Sequence, residues 1–149
     1  MWIGFDATFF DRFRIDFEDL GVPYTIFKEF GFAAGHHIPN HPGKCRRLHG
    51  HNYRTRVFLR ADTLDELGMV FDFSRLKTLM NEVVGPFDHQ VINDLPPFDE
   101  RNPTAENLSE YIFTEVSRRL ADDETAQGRV LVSKVELWEN DTCCSIYEP

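Results

Sequence analysis

The sequence predicts an α+β domain in which a four-stranded antiparallel sheet carries two helices on one face. Three observations lead to this fold class. The elements follow the order ββααββ, one strand shows a clear period-two alternation, and each helix has a single apolar stripe. The 149 residues contain no repeat or linker-like tract. We therefore expect one domain, residues 23–149, preceded by an N-terminal extension, residues 1–22.

The first two strands are predicted from residue type and from alternation. Residues 24–33 are rich in β-branched and aromatic side chains, and residues 51–60 alternate with period two. The residues expected on the buried face of the second strand are Tyr53, Thr55, Val57 and Leu59. A loop rich in Gly, Pro, His and Asn separates the two strands.

The two helices are predicted from N-caps and apolar stripes. A short extended piece, residues 69–73, precedes the first helix, which Ser74 is expected to cap and Gly85 to end. Thr104 is expected to open the second helix. The expected stripes are Leu76, Leu79, Met80, Val83 and Val84 in the first helix and Leu108, Tyr111, Ile112, Val116 and Leu120 in the second.

The last two strands are predicted to form a hairpin. Residues 129–139 and 142–147 both read as strands, and Asn140 with Asp141 provides the turn. This hairpin completes the four-stranded sheet.

Charge is distributed unevenly along the chain. The net charge of −9 argues against general binding to nucleic acid. Residues 30–61 nevertheless contain none of the 25 acidic residues. The cations of this strip are Lys44, Arg46, Arg47, Arg54, Arg56 and Arg60. The strip predicts a site for a small polyanion such as a phosphorylated metabolite, and a solvated basic strand beside an acidic neighbour is the alternative.

Neither a membrane segment nor a disulfide framework is expected. No run reaches the roughly 18 to 20 apolar residues of a membrane helix, and Asp6, Asp11 and Arg12 interrupt the N-terminal apolar stretch, unlike a signal peptide. The three cysteines are an odd number, and two of them, Cys143 and Cys144, are adjacent. We therefore expect a cytoplasmic protein that does not bind membranes.

A zinc site is predicted from histidine spacing. His49 and His51 lie at i and i+2 where a strand begins, so both side chains can point to one side. His36 and His37 follow the preceding strand, and antiparallel pairing would bring one of them beside the first two. Three histidines leave a fourth position open for water or substrate, as in catalytic zinc sites. The alternative is a group of surface histidines in a basic turn.

Further residues could carry chemistry around such a site. Three roles are open for Cys45. It could be a fourth zinc ligand, a reactive thiol whose thiolate form the neighbouring cations favour, or a small buried residue. The Asp88–His89 pair could act as a second proton carrier. Glu139 could accept two N–H bonds from an amino-pyrimidine ring or simply face solvent, and Glu106 most simply complements the helix dipole.

Six stretches, in order, carry motifs of one known family. They are FAAGHHIP (32–39), CRRLHGHNYR (45–54), GMVFDFSRLK (68–77), FDHQVIND (87–94), NPTAENL (102–108) and VELWEN (135–140). With them the chain resembles the 6-pyruvoyltetrahydropterin synthase family, and in particular its 6-carboxytetrahydropterin synthase branch of queuosine biosynthesis. The resemblance covers nearly all of the chain after the first 22 residues.

The resemblance implies roles for specific residues. It implies zinc ligands at His36, His49 and His51, and catalytic residues at Cys45, Asp88 and His89. Glu139 would anchor the pterin ring, with Thr104 and Glu106 in the same pocket, and Arg46 and Arg47 of the cationic strip would hold the triphosphate. Gly35 and Gln90 depart from residues common in relatives, and Gln90 slightly weakens assignment to the branch.

The resemblance also implies an assembly and a reaction. The expected fold is the tunnelling fold, in which subunits join their sheets into a barrel, usually a homohexamer built as a dimer of trimers with interfacial active sites. The expected activity is a zinc-dependent lyase that converts 7,8-dihydroneopterin triphosphate to 6-carboxy-5,6,7,8-tetrahydropterin, acetaldehyde and triphosphate. The alternatives are a 6-pyruvoyltetrahydropterin synthase, which eliminates triphosphate without side-chain cleavage, and a non-catalytic zinc-stabilised module that binds RNA or protein.

Overall fold

The computed structural model describes residues 24–126 and 128–149, so the predicted N-terminal extension lies outside the described residues. The described strands and helices are β1 (Tyr24–His36), β2 (His49–Ala61), α1 (Phe73–Val84), α2 (Ala105–Ala121), β3 (Leu131–Asn140) and β4 (Cys143–Tyr147). The four strands form one sheet in the order β1-β2-β3-β4, and each neighbouring pair is antiparallel. Among the described residues, no helix is both long and apolar enough to cross a bilayer.

The β1–β2 pair is the longest ladder of the sheet and it positions the histidines. Its register runs without a shift from Tyr24 opposite Ala61 to His36 opposite His49. β1 therefore continues three residues beyond the predicted end at residue 33, because cross-strand pairing outweighs the weak strand preference of glycine and histidine. A Cβ atom at Gly50 would lie 3.3 Å from the Ala34 carbonyl oxygen, so glycine permits the close approach here.

One face of the sheet and both helices enclose the core. The four residues predicted for the inner face of β2 are all buried, and so are the five stripe residues of α1. In α2 the stripe is buried except for Tyr111, which packs partly exposed against the core. The predicted patterns thus identified the core-facing residues of three elements.

One local prediction before α1 was wrong. Asp72, not Ser74, is the N-cap: its carboxylate accepts N–H bonds from Ser74 (2.7 Å) and Arg75 (2.9 Å), and the helix begins at Phe73. A carboxylate caps as well as a hydroxyl does and also complements the helix dipole. Residues 69–73 form no strand, and the Val70 carbonyl accepts instead from the Arg129 guanidinium at 2.9 Å.

The β3–β4 hairpin contains a bulge next to the turn. Trp138 pairs with Cys144 and Asn140 with Cys143, so Glu139 is the extra residue between them. The Asn140 side-chain oxygen accepts the Thr142 backbone N–H at 2.9 Å and closes the turn. Bulges are frequent beside functional sites because they redirect a side chain, and this one affects the predicted pterin anchor.

Candidate functional site

Three histidines converge at the end of the β1–β2 ladder. His36 is opposite His49, and His51 is opposite Ala34, so all three side chains emerge on the helix-facing side of the sheet. One nitrogen of each ring lies within 4.8 Å of the others, and the Nε2 atoms of His36 and His49 are 3.1 Å apart. The structure thus brings together the three predicted zinc ligands, while the His37 backbone is bound by Asn93.

Backbone carbonyls determine the tautomers of two of the rings. The His36 Nδ1–H donates to the Pro103 carbonyl at 2.8 Å, and the His49 Nδ1–H donates to the Arg47 carbonyl at 2.7 Å. In a neutral imidazole the other nitrogen then carries a lone pair, so each Nε2 is an acceptor. Two lone pairs 3.1 Å apart repel each other unless a cation lies near both. This arrangement is typical of metal-binding histidines.

The donor set fits a zinc ion. The His51 Nε2 is buried and has no hydrogen-bond partner among the described residues, as expected of a third ligand atom. Tetrahedral nitrogen ligands about 2.0 to 2.1 Å from zinc lie roughly 3.3 to 3.4 Å apart. The Nε2 atoms of His36 and His49 are 3.1 Å apart, and all three ligand atoms lie within 4.8 Å of one another. Burial also lowers the pKa of His36, against the opposing effects of the Pro103 carbonyl and Glu139, so this ring stays neutral and able to bind metal at pH 7.

Glu139 lies at the edge of this cluster. Its carboxylate Oε1 is 3.8 Å from the His36 Nε2 and 4.0 Å from the His51 Nε2. These distances allow electrostatic attraction but are too long for hydrogen bonds. The bulge leaves Glu139 between two paired residues, which places its carboxylate where two clefts meet.

The first of these clefts, the Cys45 cleft, contains the histidine cluster. It has a volume of about 360 Å³ and lies between the end of the sheet, the β1–β2 loop and the start of α2. Besides the three histidines, its walls include His41, Cys45, Thr104, Glu106 and Glu139. Thr104 is the N-cap of α2, and its hydroxyl oxygen accepts the Asn107 N–H at 3.2 Å. Thr104 therefore both caps the helix and lines the cleft.

The second, the His89 cleft, is larger and more open. Its volume is about 820 Å³, and its walls include His51, Arg54, Asp88, His89 and Glu139. Within one chain Cys45 and His89 therefore line different clefts. Sequence reasoning assigned both residues to one active site, expected at a subunit interface, and within one chain they line two clefts that share His51 and Glu139.

The Asp88–His89 pair is attached to the free edge of β1. Asp88 Oδ1 accepts the Ala33 N–H at 2.9 Å and lies 3.0 Å from His89 Nδ1, while the His89 N–H donates to the Ala33 carbonyl at 2.6 Å. His89 has φ of 58°, a left-handed conformation that costs an L-residue about 1 kcal/mol. The bonds to Ala33 hold it there with 80% of its side chain exposed. The Ala33 N–H and then His89 lower the pKa of Asp88, so its carboxylate is ionised.

The cationic strip divides into two parts. Arg54, Arg56 and Arg60 on β2 each pair with a carboxylate. For Lys44, Arg46 and Arg47, in the β1–β2 loop, no carboxylate of residues 24–126 or 128–149 lies within 4.0 Å. Neither cleft includes Arg46 or Arg47 in its walls. Uncompensated positive charge is thus concentrated beside Cys45.

His41 was not among the predicted site residues, although it lines the Cys45 cleft. The available signal was its place in the loop that carries Cys45, four residues before that cysteine. Three cysteines also share this cleft, because β4 begins with Cys143 and Cys144 along its rim.

Comparison with known proteins identifies a matching family model and several relatives. Residues 25–149 match the family model of 6-pyruvoyl tetrahydropterin synthase. A protein of Synechocystis sp. named 6-carboxy-5,6,7,8-tetrahydropterin synthase is 43% identical over 98 residues, covering 62% of this chain and 74% of that protein. One of that name from Haemophilus influenzae is 31% identical over 147 residues, covering 84% and 99%.

A solved structure shares the fold. The 6-pyruvoyl tetrahydropterin synthase of Caenorhabditis elegans superposes with a TM-score of 0.73 at 26% identity, covering 85% of this chain and 96% of that one. The arrangement of one antiparallel sheet with two helices is thus the same in both proteins.

Proposed function

Since the chain belongs to the 6-pyruvoyl tetrahydropterin synthase family, we propose that it is a zinc-dependent 6-carboxy-5,6,7,8-tetrahydropterin synthase. Its substrates are 7,8-dihydroneopterin triphosphate and one water molecule, and its products are the 6-carboxy pterin, acetaldehyde and triphosphate, as a step of queuosine biosynthesis. The observation that carries the proposal is the Cys45 cleft, where a thiol lines the same cleft as three converging imidazoles. The names of the curated relatives and the CxxxHGH spacing of residues 45–51 support the carboxy branch.

His36, His49 and His51 hold the metal in this proposal. When bound, zinc acts as a Lewis acid that polarises the hydroxyl oxygens of the substrate side chain and acidifies the adjacent C–H bonds. The carbonyls of Pro103 and Arg47 keep the two Nδ1 atoms protonated, so the Nε2 atoms are available as ligands.

Protein groups bind the substrate and move its protons. Glu139 accepts paired N–H bonds from the pterin ring, beside Thr104 and Glu106. Cys45 removes a proton from a side-chain carbon, and a His89 imidazole returns one to a neighbouring carbon. Asp88 orients that imidazole through Nδ1, which leaves Nε2 for the transfer.

The presence of Cys45 and His89 in different clefts supports an active site completed by a second copy of the chain. We propose that the exposed Asp88–His89 pair of one subunit faces the Cys45 cleft of its neighbour. β1 and β4 are the outer strands of the sheet in the described residues, and in the proposed assembly, a hexamer made of two trimers, sheets of adjacent subunits join along them. The active site is then formed at a subunit interface.

Product analysis tests the reaction. We expect zinc-loaded protein incubated with 7,8-dihydroneopterin triphosphate to release acetaldehyde and triphosphate in equal amounts, measured by coupled alcohol dehydrogenase and by ion chromatography. Metal-free protein is the control. Absence of turnover together with salt-dependent RNA binding would instead support a non-catalytic module.

A second candidate function is 6-pyruvoyl tetrahydropterin synthase, favoured by the name of the superposing Caenorhabditis elegans structure. It predicts triphosphate release without acetaldehyde from the same incubation. The two candidates therefore differ in one measured product.

The role of Cys45 can be separated from a structural one. We expect Cys45→Ala to retain zinc and the fold while turnover falls roughly 10²- to 10⁴-fold, because a general base is lost. Loss of zinc together with unfolding would identify Cys45 as a fourth structural ligand instead.

A further inference from the structure

The β1–β2 loop, residues 37–48, holds His41 against the turn that carries Cys45. The Ile38 N–H donates to the Cys45 carbonyl at 2.9 Å, and the Ile38 carbonyl accepts the His41 N–H at 3.2 Å. The Gly43 N–H, directly before the Lys44–Arg46 turn, donates to the His41 Nδ1 at 2.9 Å. The imidazole and Cys45 are thus connected through the same short loop.

The bond from Gly43 determines how the His41 ring presents itself. A backbone N–H can only donate, so Nδ1 is the acceptor and the neutral ring carries its proton on Nε2. The packing is close, since a Cβ atom on Gly43 would lie 3.1 Å from the ring Cε1. His41 lines the Cys45 cleft, and Nε2–H is the donor group of its neutral ring.

The loop that carries this donor is positively charged. The same loop carries Lys44, Arg46 and Arg47, none of which has a carboxylate within 4.0 Å in the described part of the chain. The arginines of β2, in contrast, are paired with carboxylates. A neutral N–H donor beside uncompensated cations is suited to a phosphate oxygen.

We propose that His41 is a substrate-binding residue whose Nε2–H donates to an oxygen of the substrate's phosphate chain. Gly43 holds the ring in the required tautomer, and the loop cations attract the anion. The identity of the phosphate-bearing substrate rests on the proposed function, whereas the binding of a phosphate chain does not require turnover.

Two substitutions separate the two nitrogens of the ring. In His41→Asn the side-chain oxygen can still accept the Gly43 N–H as an Asx turn, but the donor at the position of Nε2 is lost. In His41→Gln the amide N–H reaches about the position of Nε2, but the bond to Gly43 is lost. His37→Asn is the matched control, since His37 lies in the same loop and lines neither cleft.

Titration calorimetry with inorganic tripolyphosphate tests the proposal on zinc-loaded protein, with zinc content checked afterwards. We expect His41→Asn to weaken Kd roughly tenfold or more, as for loss of a hydrogen bond to a charged group, and His41→Gln to recover most of the affinity. His37→Asn should match the unmodified protein. With dihydroneopterin triphosphate, His41→Asn should raise KM by a similar factor while kcat changes less than about threefold.

Several outcomes would overturn the proposal. A purely structural role predicts the opposite pattern, with His41→Asn normal and His41→Gln impaired. Equal weakening by His37→Asn, or no binding of tripolyphosphate to the unmodified protein, also contradicts it. If tripolyphosphate binding depends on His41 as expected but dihydroneopterin triphosphate is not turned over, the proposed function fails and the role of His41 stands.

Discussion

The Cys45 cleft and the His89 cleft share two residues, His51 and Glu139. They differ in how deeply their functional side chains are buried and in what holds those side chains in place. In the Cys45 cleft the three clustered histidines and Cys45 are partly or fully buried, and backbone carbonyls hold two imidazoles in metal-binding tautomers. In the His89 cleft the acid–base pair stands exposed at a strand edge, and its order comes from bonds to the backbone of Ala33.

The difference indicates that the two clefts have different chemical roles. Buried, tautomer-fixed imidazoles suit a permanently bound ion, because ligand geometry must not change during turnover. An exposed but oriented imidazole suits proton transfer to a molecule that arrives from elsewhere. Each cleft thus has the properties of half an active site, in agreement with the interfacial site proposed above.

Removing a metal ligand should have the largest effect. We expect His49→Ala to reduce zinc from about one per chain to nearly none and turnover by at least roughly 10³-fold, because the Lewis acid is lost. Zinc is measured by plasma emission spectroscopy. His37→Ala is the matched control and should retain zinc. Full zinc occupancy in His49→Ala would contradict the assignment.

Mixing two inactive variants tests whether the two clefts cooperate across subunits. Co-refolded Cys45→Ala and His89→Ala chains should recover roughly one quarter of the unmodified activity, since one site in four combines two intact contributors. If both residues served the same chain's site, each chain would carry one defect and no activity would return. The variants refolded separately are the controls.

Asp88→Asn should have a smaller effect, restricted to the His89 cleft. We expect kcat to fall about 10²-fold with zinc content unchanged, because the imidazole loses its orienting carboxylate. The Ala33 N–H and His89 lower the pKa of Asp88 below the ordinary 3.8. The carboxylate is therefore ionised above that value and loses its effect only as pH falls through the lowered pKa. The kcat of the two proteins is compared at pH 7, and an unchanged kcat in Asp88→Asn would exclude this role.

Thr104→Ala should have the smallest effect, on stability more than on turnover. Loss of the bond to the Asn107 N–H removes an N-cap, which costs about 1 kcal/mol of unfolding free energy in urea titrations. Thr104→Ser keeps the hydroxyl and should retain stability. Lost turnover at unchanged stability would show instead that Thr104 binds substrate.

The core and the histidine cluster were predictable because they follow from local periodicity. Burial of one face imposes period two on β2 and a repeating stripe on α1, and period two also puts His49 and His51 on the same side. The sequence pattern alone did not decide whether His36 or His37 is the third metal ligand. The continuous β1–β2 register decides the geometry, since it places His36 directly opposite His49.

Other features depend on contacts distant in sequence. The N-cap at Asp72 was missed because Asp72 and Ser74 are both good capping residues. The placement of Cys45 and His89 in different clefts follows from tertiary packing. The bulge at Glu139 requires the pairing of β3 with β4, which alternation alone does not reveal. Assembly of subunits lies beyond what one chain's periodicity can indicate, and it stays a prediction.

The position of Glu139 in the walls of both clefts limits how this enzyme could be redesigned. A substitution of Glu139 that widens one cleft for a different ring also removes the negative charge beside His36 and His51. The same substitution alters the other cleft as well. Libraries that aim at new substrates should therefore keep Glu139, Cys45 and His41 constant and vary the other residues of the 37–48 loop. That loop contacts one cleft and can change without disturbing the other.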